Sequence, residues 1–153
     1  MFLIVMGCGP EQPSGPELFE EHFSIDIVEV RAPSEGVAAG TMEQQAFRLL
    51  QQANYQQAAI LFAELAARQR DPGYQVYRGM AQIAAGQYTQ AIESLSNIPA
   101  GNKAIPVARW YQGMAALAMD QPVQARSYLE QCIASNARGD YAVRAKNILD
   151  KLP

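Results

Sequence analysis

The sequence predicts an all-α fold in which pairs of helices stack side by side. Residues 76–91 (VYRGMAQIAAGQYTQA) and 110–125 (WYQGMAALAMDQPVQA) agree at 8 of 16 aligned positions with an offset of 34 residues. Within each copy, apolar residues recur three and four positions apart, as they do on one face of a helix. Because one helix pair cannot bury its apolar face alone, the repeated pattern indicates a stack with a shared core.

A third copy of the pattern lies upstream, where residues 46–58 (AFRLLQQANYQQA) match residues 79–91 at an offset of 33. Short polar breaks halfway along each copy predict a turn between two helices. Gly139 and Asp140 predict the start of a last helix, which would cap the open end of the stack. The predicted domain covers residues 38–153, with repeats at about 39–71, 72–102 and 103–136 and a capping helix at 140–152.

Small residues recur where the two helices of a pair would cross. Gly79 and Gly113 lie midway along the first helix of their repeats, and Ala91 and Ala125 lie in the second. A larger side chain at these positions would push the helix axes apart. We therefore expect close helix contacts at these positions.

The repeated letters resemble the tetratricopeptide repeat (TPR), most clearly in Gly79-Met80-Ala81, Gly86-Gln87-Tyr88 and Ala91-Ile92. The third copy departs from that pattern with Asp120-Gln121-Pro122, and the first has Ala46 in place of the glycine. The resemblance covers about three quarters of the chain. It implies an αα-superhelix of three TPR helix pairs plus the capping helix, and a non-catalytic protein-protein interaction module or scaffold.

In a TPR stack the first helices of the repeats line a concave groove, where protein or peptide partners bind. The positions of this chain that correspond to the groove are apolar rather than basic. An apolar groove must be covered, by the chain's own N-terminal arm, by a partner helix or by a second copy; the alternative is that these residues are ordinary core. The candidate partner-binding residues are Phe47, Leu50, Val76, Met80, Ile83, Trp110, Met114 and Leu117.

Residues 1–37 differ in charge from the rest of the chain. They carry a net charge of −6, whereas the remaining residues carry +3. We expect residues 1–16 to be a flexible tether and residues 17–37 to be a mostly extended acidic arm that packs on the repeats through Leu18, Phe19 and Phe23. A partner-binding role for this arm is the alternative.

The first residues, MFLIVMGC, resemble the end of a bacterial lipoprotein signal, which makes Cys8 a candidate for lipid attachment. EQPSGPELFEEHF, ARWYQGMAAL and YAVRAKNILDKL are moreover similar to short membrane- or lipid-anchored TPR proteins of Bacteroidetes-type bacteria. This resemblance implies a place at the cell envelope, held through Cys8 or through an anchor ahead of Met1. A cytoplasmic protein with a free N-terminus is the alternative.

The sequence offers little catalytic chemistry. His22 is the only histidine, and neither a phosphate-binding loop nor a G-x-S-x-G motif is present. Its twelve Lys and Arg residues are scattered among acids, which argues against nucleic acid as a partner. We therefore predict no enzyme activity, metal or cofactor, and a monomer or weak homo-oligomer. The second hypothesis is a structural or assembly factor that self-associates through the face of Trp110.

Overall fold

The computed structural model describes residues 11–26, 41–136 and 138–153. These residues contain eight α-helices and no strand, so the chain is all-α as predicted. The helices are α1 (Gly15–His22), α2 (Met42–Gln51), α3 (Tyr55–Gln69), α4 (Pro72–Ala84), α5 (Tyr88–Ser96), α6 (Ile105–Ala118), α7 (Pro122–Ser135) and α8 (Asp140–Leu149).

From α2 onward each helix packs on the next helix along the chain, and α6 also packs on both α4 and α8. This pattern places α4, α6 and α8 side by side in one layer, which we call the inner layer, with α3, α5 and α7 as the outer layer. The core between the layers is continuous. Helix α1 departs from chain order, because it packs on α6, whose first residue is more than 80 positions away.

The same turn joins the two helices of a pair three times. Ala53, Gly86 and Asp120 follow α2, α4 and α6, the first helices of the three pairs, and have φ values of 59°, 77° and 55°. In each turn, the N–H of the next residue donates to the carbonyl five positions earlier, over 2.8, 2.8 and 2.9 Å. Together with the bond from each left-handed residue to the carbonyl three positions earlier, these contacts form a Schellman motif. The turns are 33 and 34 residues apart.

Two glycines allow the inner and outer layers to approach closely. A Cβ atom built on Gly79 would lie 2.6 Å from Cγ of Leu95, and one on Gly113 would lie 2.8 Å from Cδ2 of Leu129. Each leucine lies 16 positions after its glycine, so the contact repeats with the sequence. The close helix contacts expected at these glycines are therefore present.

The N-terminal arm differs from the prediction of a mostly extended segment. Residues 15–22 form a helix, and Gly15 and Pro16, which we expected in the flexible tether, are its first two residues. The reason is local: Ser14 accepts a hydrogen bond from the N–H of Glu17 and so begins the helix. Residues 23–26 follow without regular structure. The remainder of the predicted arm and Cys8 lie outside the described residues.

Candidate functional site

The candidate site is the surface of α6 and α8 that holds α1 and residues 23–26, and we call it the arm-binding surface. The first turn of α1 is held by hydrogen bonds within the segment itself, which preorganises the helix for docking. The Ser14 backbone N–H donates to Oε2 of Glu17 over 2.7 Å, and the Ser14 hydroxyl donates to the same oxygen over 2.8 Å. These hydrogen bonds, the backbone one first, lower the pKa of the Glu17 carboxyl. The carboxylate also lies near the positive end of the helix dipole.

The apolar face of α1 supplies most of the contact. Leu18 is fully buried, and Gly15 lies so close to α6 that a Cβ atom there would be 2.8 Å from the Leu117 carbonyl oxygen. The Phe19 ring meets the edge of Tyr88 at 5.9 Å between centroids. Burying a leucine side chain contributes roughly 1.5–3 kcal/mol, so Leu18 alone is a substantial anchor.

A polar cluster fixes the chain just after α1. Tyr111 of α6 donates its hydroxyl hydrogen to the carbonyl oxygen of Ser24 over 2.9 Å and accepts from the N–H of Asp26 over 3.2 Å. Burial raises the pKa of the Tyr111 hydroxyl far above its ordinary value, and the Asp26 N–H offsets only part of this rise. The hydroxyl therefore stays neutral at physiological pH and can serve both backbone groups at once.

The carboxylate of Asp26 joins the arm to α8. Its Oδ2 atom accepts a hydrogen bond from Nη1 of Arg144 over 2.6 Å and one from the Tyr141 hydroxyl over 3.4 Å. Burial by itself would lower the pKa of Arg144, but the hydrogen bond to Asp26 and the charges of Asp26 and Asp140 outweigh it and raise that pKa. Asp140 also contacts Nε of Arg144 over 2.7 Å, so the guanidinium is held from two sides.

A second, more exposed contact lies at the other end of α8. Nζ of Lys151 donates to Oε1 of Glu21 over 2.8 Å and lies 3.4 Å from Nε2 of His22. The hydrogen bond from Lys151 lowers the pKa of Glu21. Burial lowers the pKa of His22, and Lys151 lowers it further against the opposing effect of Glu21. Both side chains therefore favour the deprotonated form while the arm is docked.

The eight groove candidates are all buried, with no more than 3% of any of them exposed. At one end of the core, the Phe47 ring contacts Phe62 and Tyr77 at centroid distances of 5.2 and 4.8 Å. At the other end, Trp110 packs against Tyr141 of α8 at 5.9 Å. Direct binding of a partner to these side chains would require the core to open. The residues concerned are Phe47, Leu50, Val76, Met80, Ile83, Trp110, Met114 and Leu117.

Cys132 adds no reactive site to this surface. Cys132 is buried in α7, and burial raises the pKa of its thiol to about 11, so the reactive thiolate is scarce at neutral pH. Cys8 lies outside the described residues, and lipid attachment there stays a prediction.

Sequence reasoning missed the polar half of the arm-binding surface. Asp26 is separated in sequence by 85 to 118 positions from the residues that it meets there, Tyr111, Tyr141 and Arg144. One signal was available, the opposite net charge of the two parts of the chain, and it did not identify the individual residues. Tyr141 and Arg144 are three positions apart on α8 and share one helix face, which is where a search for arm contacts could have begun.

Two further kinds of site, a metal site and a membrane-spanning helix, are absent from the described residues. The described ranges contain no group of three or more His, Cys, Asp or Glu side chains placed to hold a metal ion. Nor does any helix in them combine the length and apolar character that crossing a bilayer requires.

Comparison with models of known protein families, with curated proteins and with solved structures finds no match for this chain. Evidence about function therefore comes from the geometry of the chain itself.

Proposed function

We propose that the chain is a TPR-type stack of three helix pairs closed by α8. The recurrence of one Schellman turn at intervals of 33 and 34 residues supports this assignment. So does the recurrence of the contact between a glycine and a leucine sixteen positions later. Helix pairs of this length and geometry are typical of TPR proteins.

We further propose that the chain is a non-catalytic protein-interaction module, in which the arm-binding surface recognises an acidic amphipathic helix. The observation that carries this proposal is the docked α1 itself. It is a short helix with a buried Leu18, followed by an anchored Asp26, and it lies on helices distant in sequence. A surface that holds such a segment of its own chain offers the same contacts to a similar segment of another protein.

The chemistry of the surface defines what it would accept. Apolar side chains spaced like Leu18 and Phe19 would pack on α6 and on Tyr88 of α5. Carboxylates three and eight residues after the first of them would pair with Lys151 and Arg144. A partner must also displace α1, so its affinity is reduced by the free energy with which α1 docks. The module would thus bind weakly unless the partner's segment fits better than the resident helix.

The proposal is tested by supplying the arm in trans. In the full chain carrying Leu18→Asp, the buried carboxylate should undock α1 because an unpaired charge is not tolerated in an apolar site. A fluorescent synthetic peptide of residues 11–26 should then bind this variant, as followed by anisotropy, and should bind the wild-type chain at least tenfold more weakly.

The matched control is the same peptide with Leu18→Asp, which should bind neither chain. A further control, Glu20→Ala in the full chain, changes an exposed residue on the other side of α1 and should leave the surface occupied. If the wild-type peptide binds the Leu18→Asp chain no better than the control peptide does, the surface is not a site for such helices.

A further inference from the structure

We propose that a cleft between α3 and α4, separate from the residues that contact α1, binds an extended peptide segment with an acidic side chain. The cleft has a volume of about 350 Å³. Ala59 and Ala63 of α3 form one wall, Arg78 and Gln82 of α4 form the other, and Gln87 closes one end. Ile60, at the rim, is 66% exposed and is one of the few large apolar side chains so exposed among the described residues.

Comparison with the next repeat shows that the cleft is a specific feature and not a general gap between helices. Thirty-four positions after Arg78 stands Gln112, which is fully buried. Its Nε2 donates to the Ile92 carbonyl over 3.1 Å and to the Ser96 hydroxyl over 2.8 Å, while its Oε1 accepts from Arg109 over 2.7 Å. The equivalent site between α5 and α6 is therefore filled, and the polar groups of Gln112 have partners.

The difference arises from two side chains of the outer helix. Ile92 and Ser96 of α5 correspond, at an offset of 33, to Ala59 and Ala63 of α3. The two alanines neither fill the space above α4 nor offer a hydroxyl group to it. The contact between α3 and α4 consequently keeps an open cleft, whereas the contact between α5 and α6 is closed.

One polar group of the cleft has no partner. Gln82 is 6% exposed, yet its Oε1 atom is buried and accepts no hydrogen bond from the described residues. Gln75, seven positions earlier on the same helix face but outside the cleft, has a buried Oε1 in the same condition. Buried carbonyl oxygens are nearly always paired, so each exception points to a group that can donate a hydrogen bond.

Arg78 lies between these two glutamines on the face of α4. It is partly exposed and forms no ion pair with the described residues. The cleft thus combines a cation without an anion and one acceptor, Oε1 of Gln82, without a donor. A ligand that presents a carboxylate together with N–H groups would suit both.

An extended peptide with an Asp or Glu meets these requirements. Its carboxylate would pair with Arg78, and a neighbouring aliphatic side chain would cover Ile60. A backbone N–H would donate to Gln82 once the side chain of Gln82 turns its buried oxygen toward the cleft. Arginine suits this role because its guanidinium binds a carboxylate through two parallel hydrogen bonds. Nucleic acid fits less well, because a single arginine flanked by glutamines cannot follow a phosphate backbone.

The test uses the ¹⁵N-labelled full chain and two synthetic pools of nine-residue peptides. One pool has a central Asp or Glu flanked by Leu, Ile and Val, and the other has Asn or Gln at that central position. We expect the acidic pool to shift the side-chain amide signals of Gln82 and Gln87 and to bind at least tenfold more tightly than the amide pool. Equal binding of the two pools, no binding by either, or shifts confined to α6 and α8 would overturn the proposal.

Two variants copy the closed site of the next repeat. Arg78→Gln introduces the residue that α6 has at this position, and Ala59→Ile with Ala63→Ser introduces those of α5. Each should weaken binding of the acidic pool at least tenfold, while Arg48→Gln, which removes an exposed arginine on α2, should not. Unchanged binding to either cleft variant, or tighter binding of a ten-nucleotide single-stranded DNA than of the acidic pool, would exclude the site.

Discussion

At the scale of single residues, the three turns between paired helices have the same backbone conformation but are made with different residues. Each turn needs a residue with positive φ, and the chain uses Ala53, Gly86 and Asp120 for it. Glycine adopts this conformation without strain, whereas alanine is held there against the contact of its Cβ with the backbone. Ala53 therefore carries a conformational cost that Gly86 does not.

Exchanging the residues at two of these turns should change stability in opposite directions. We expect Ala53→Gly to raise the free energy of unfolding by about 0.5–1 kcal/mol and Gly86→Ala to lower it by about 1 kcal/mol. Apart from the adjacent residues, a Cβ on Gly86 would have no atom within 4 Å, so crowding against other parts of the fold would not contribute to its loss. Urea denaturation followed by circular dichroism measures both changes.

The control for these variants is Ala85→Gly, one position before Gly86, where φ is −82°. Since that conformation suits alanine, the substitution should destabilise the chain. Stabilisation by Ala85→Gly, or a loss with Ala53→Gly, would show that the left-handed conformation is not what sets stability at these turns.

At the scale of elements, α1 should dock in a pH-dependent manner. His22 and Glu21 have pKa values below their ordinary 6.5 and 4.5 when docked. The undocked arm therefore binds protons more readily than the docked arm. Docking should be fully stable above pH 6.5, weaken as His22 is protonated below that value, and weaken further below pH 4.5 as Glu21 is protonated.

Amide hydrogen exchange of α1, compared between pH 7.5 and pH 5.5 after correction for intrinsic rates, measures this effect. Exchange in α1 should become faster relative to α4, whose sequence contains no Asp, Glu or His. In His22→Gln, protection should no longer change between these two pH values, although the loss below pH 4.5 should remain. The same loss of protection in the variant as in the wild type would show that His22 is not the group responsible.

The elements that sequence reasoning located are those whose signals are local. Helices α2 to α7 were expected from apolar spacing and polar breaks, and the last helix from Gly139 and Asp140. Helix α1 lies where an extended arm was expected to begin. Its glycines and prolines suggest a flexible segment, whereas the capping box of Ser14 and Glu17 starts a helix there. The arm-binding surface could not be located, since Asp26 and Arg144 meet only after the stack has formed. Partner binding by the groove candidates stays a prediction, because all eight are buried and apolar spacing does not distinguish a core from a groove.

At the scale of the whole molecule, α1 covers apolar surface on the inner layer that would otherwise meet water. Undocking it with Leu18→Asp should lower the free energy of unfolding by about 2–5 kcal/mol, the range for loss of a buried leucine. It should also expose enough apolar surface to promote association of chains. Light scattering over a range of concentrations should show a mass that rises for the variant and stays monomeric for the wild type.

Glu20→Ala serves again as the matched substitution, because Glu20 is exposed on the same helix. Its mass and melting temperature should equal those of the wild type. A wild-type chain whose mass doubles with concentration would favour the self-associating assembly factor over the interaction module. Trp110, the residue suggested for that association, is fully buried within one copy.

The docking of α1 also constrains the order in which contacts can form while the chain is being synthesised. Arg144 follows Asp26 by 118 positions, so the arm is synthesised long before α8, its partner in the ion pair. At 5–20 residues per second, the interval is about 6 to 24 s. Until α6 has been made, Leu18 and Phe23 lack the surface on which they pack, and until α8 has been made, Asp26 lacks its partner Arg144. Helix α1 can therefore complete its contacts only after the helix pairs that follow it in the chain have been synthesised.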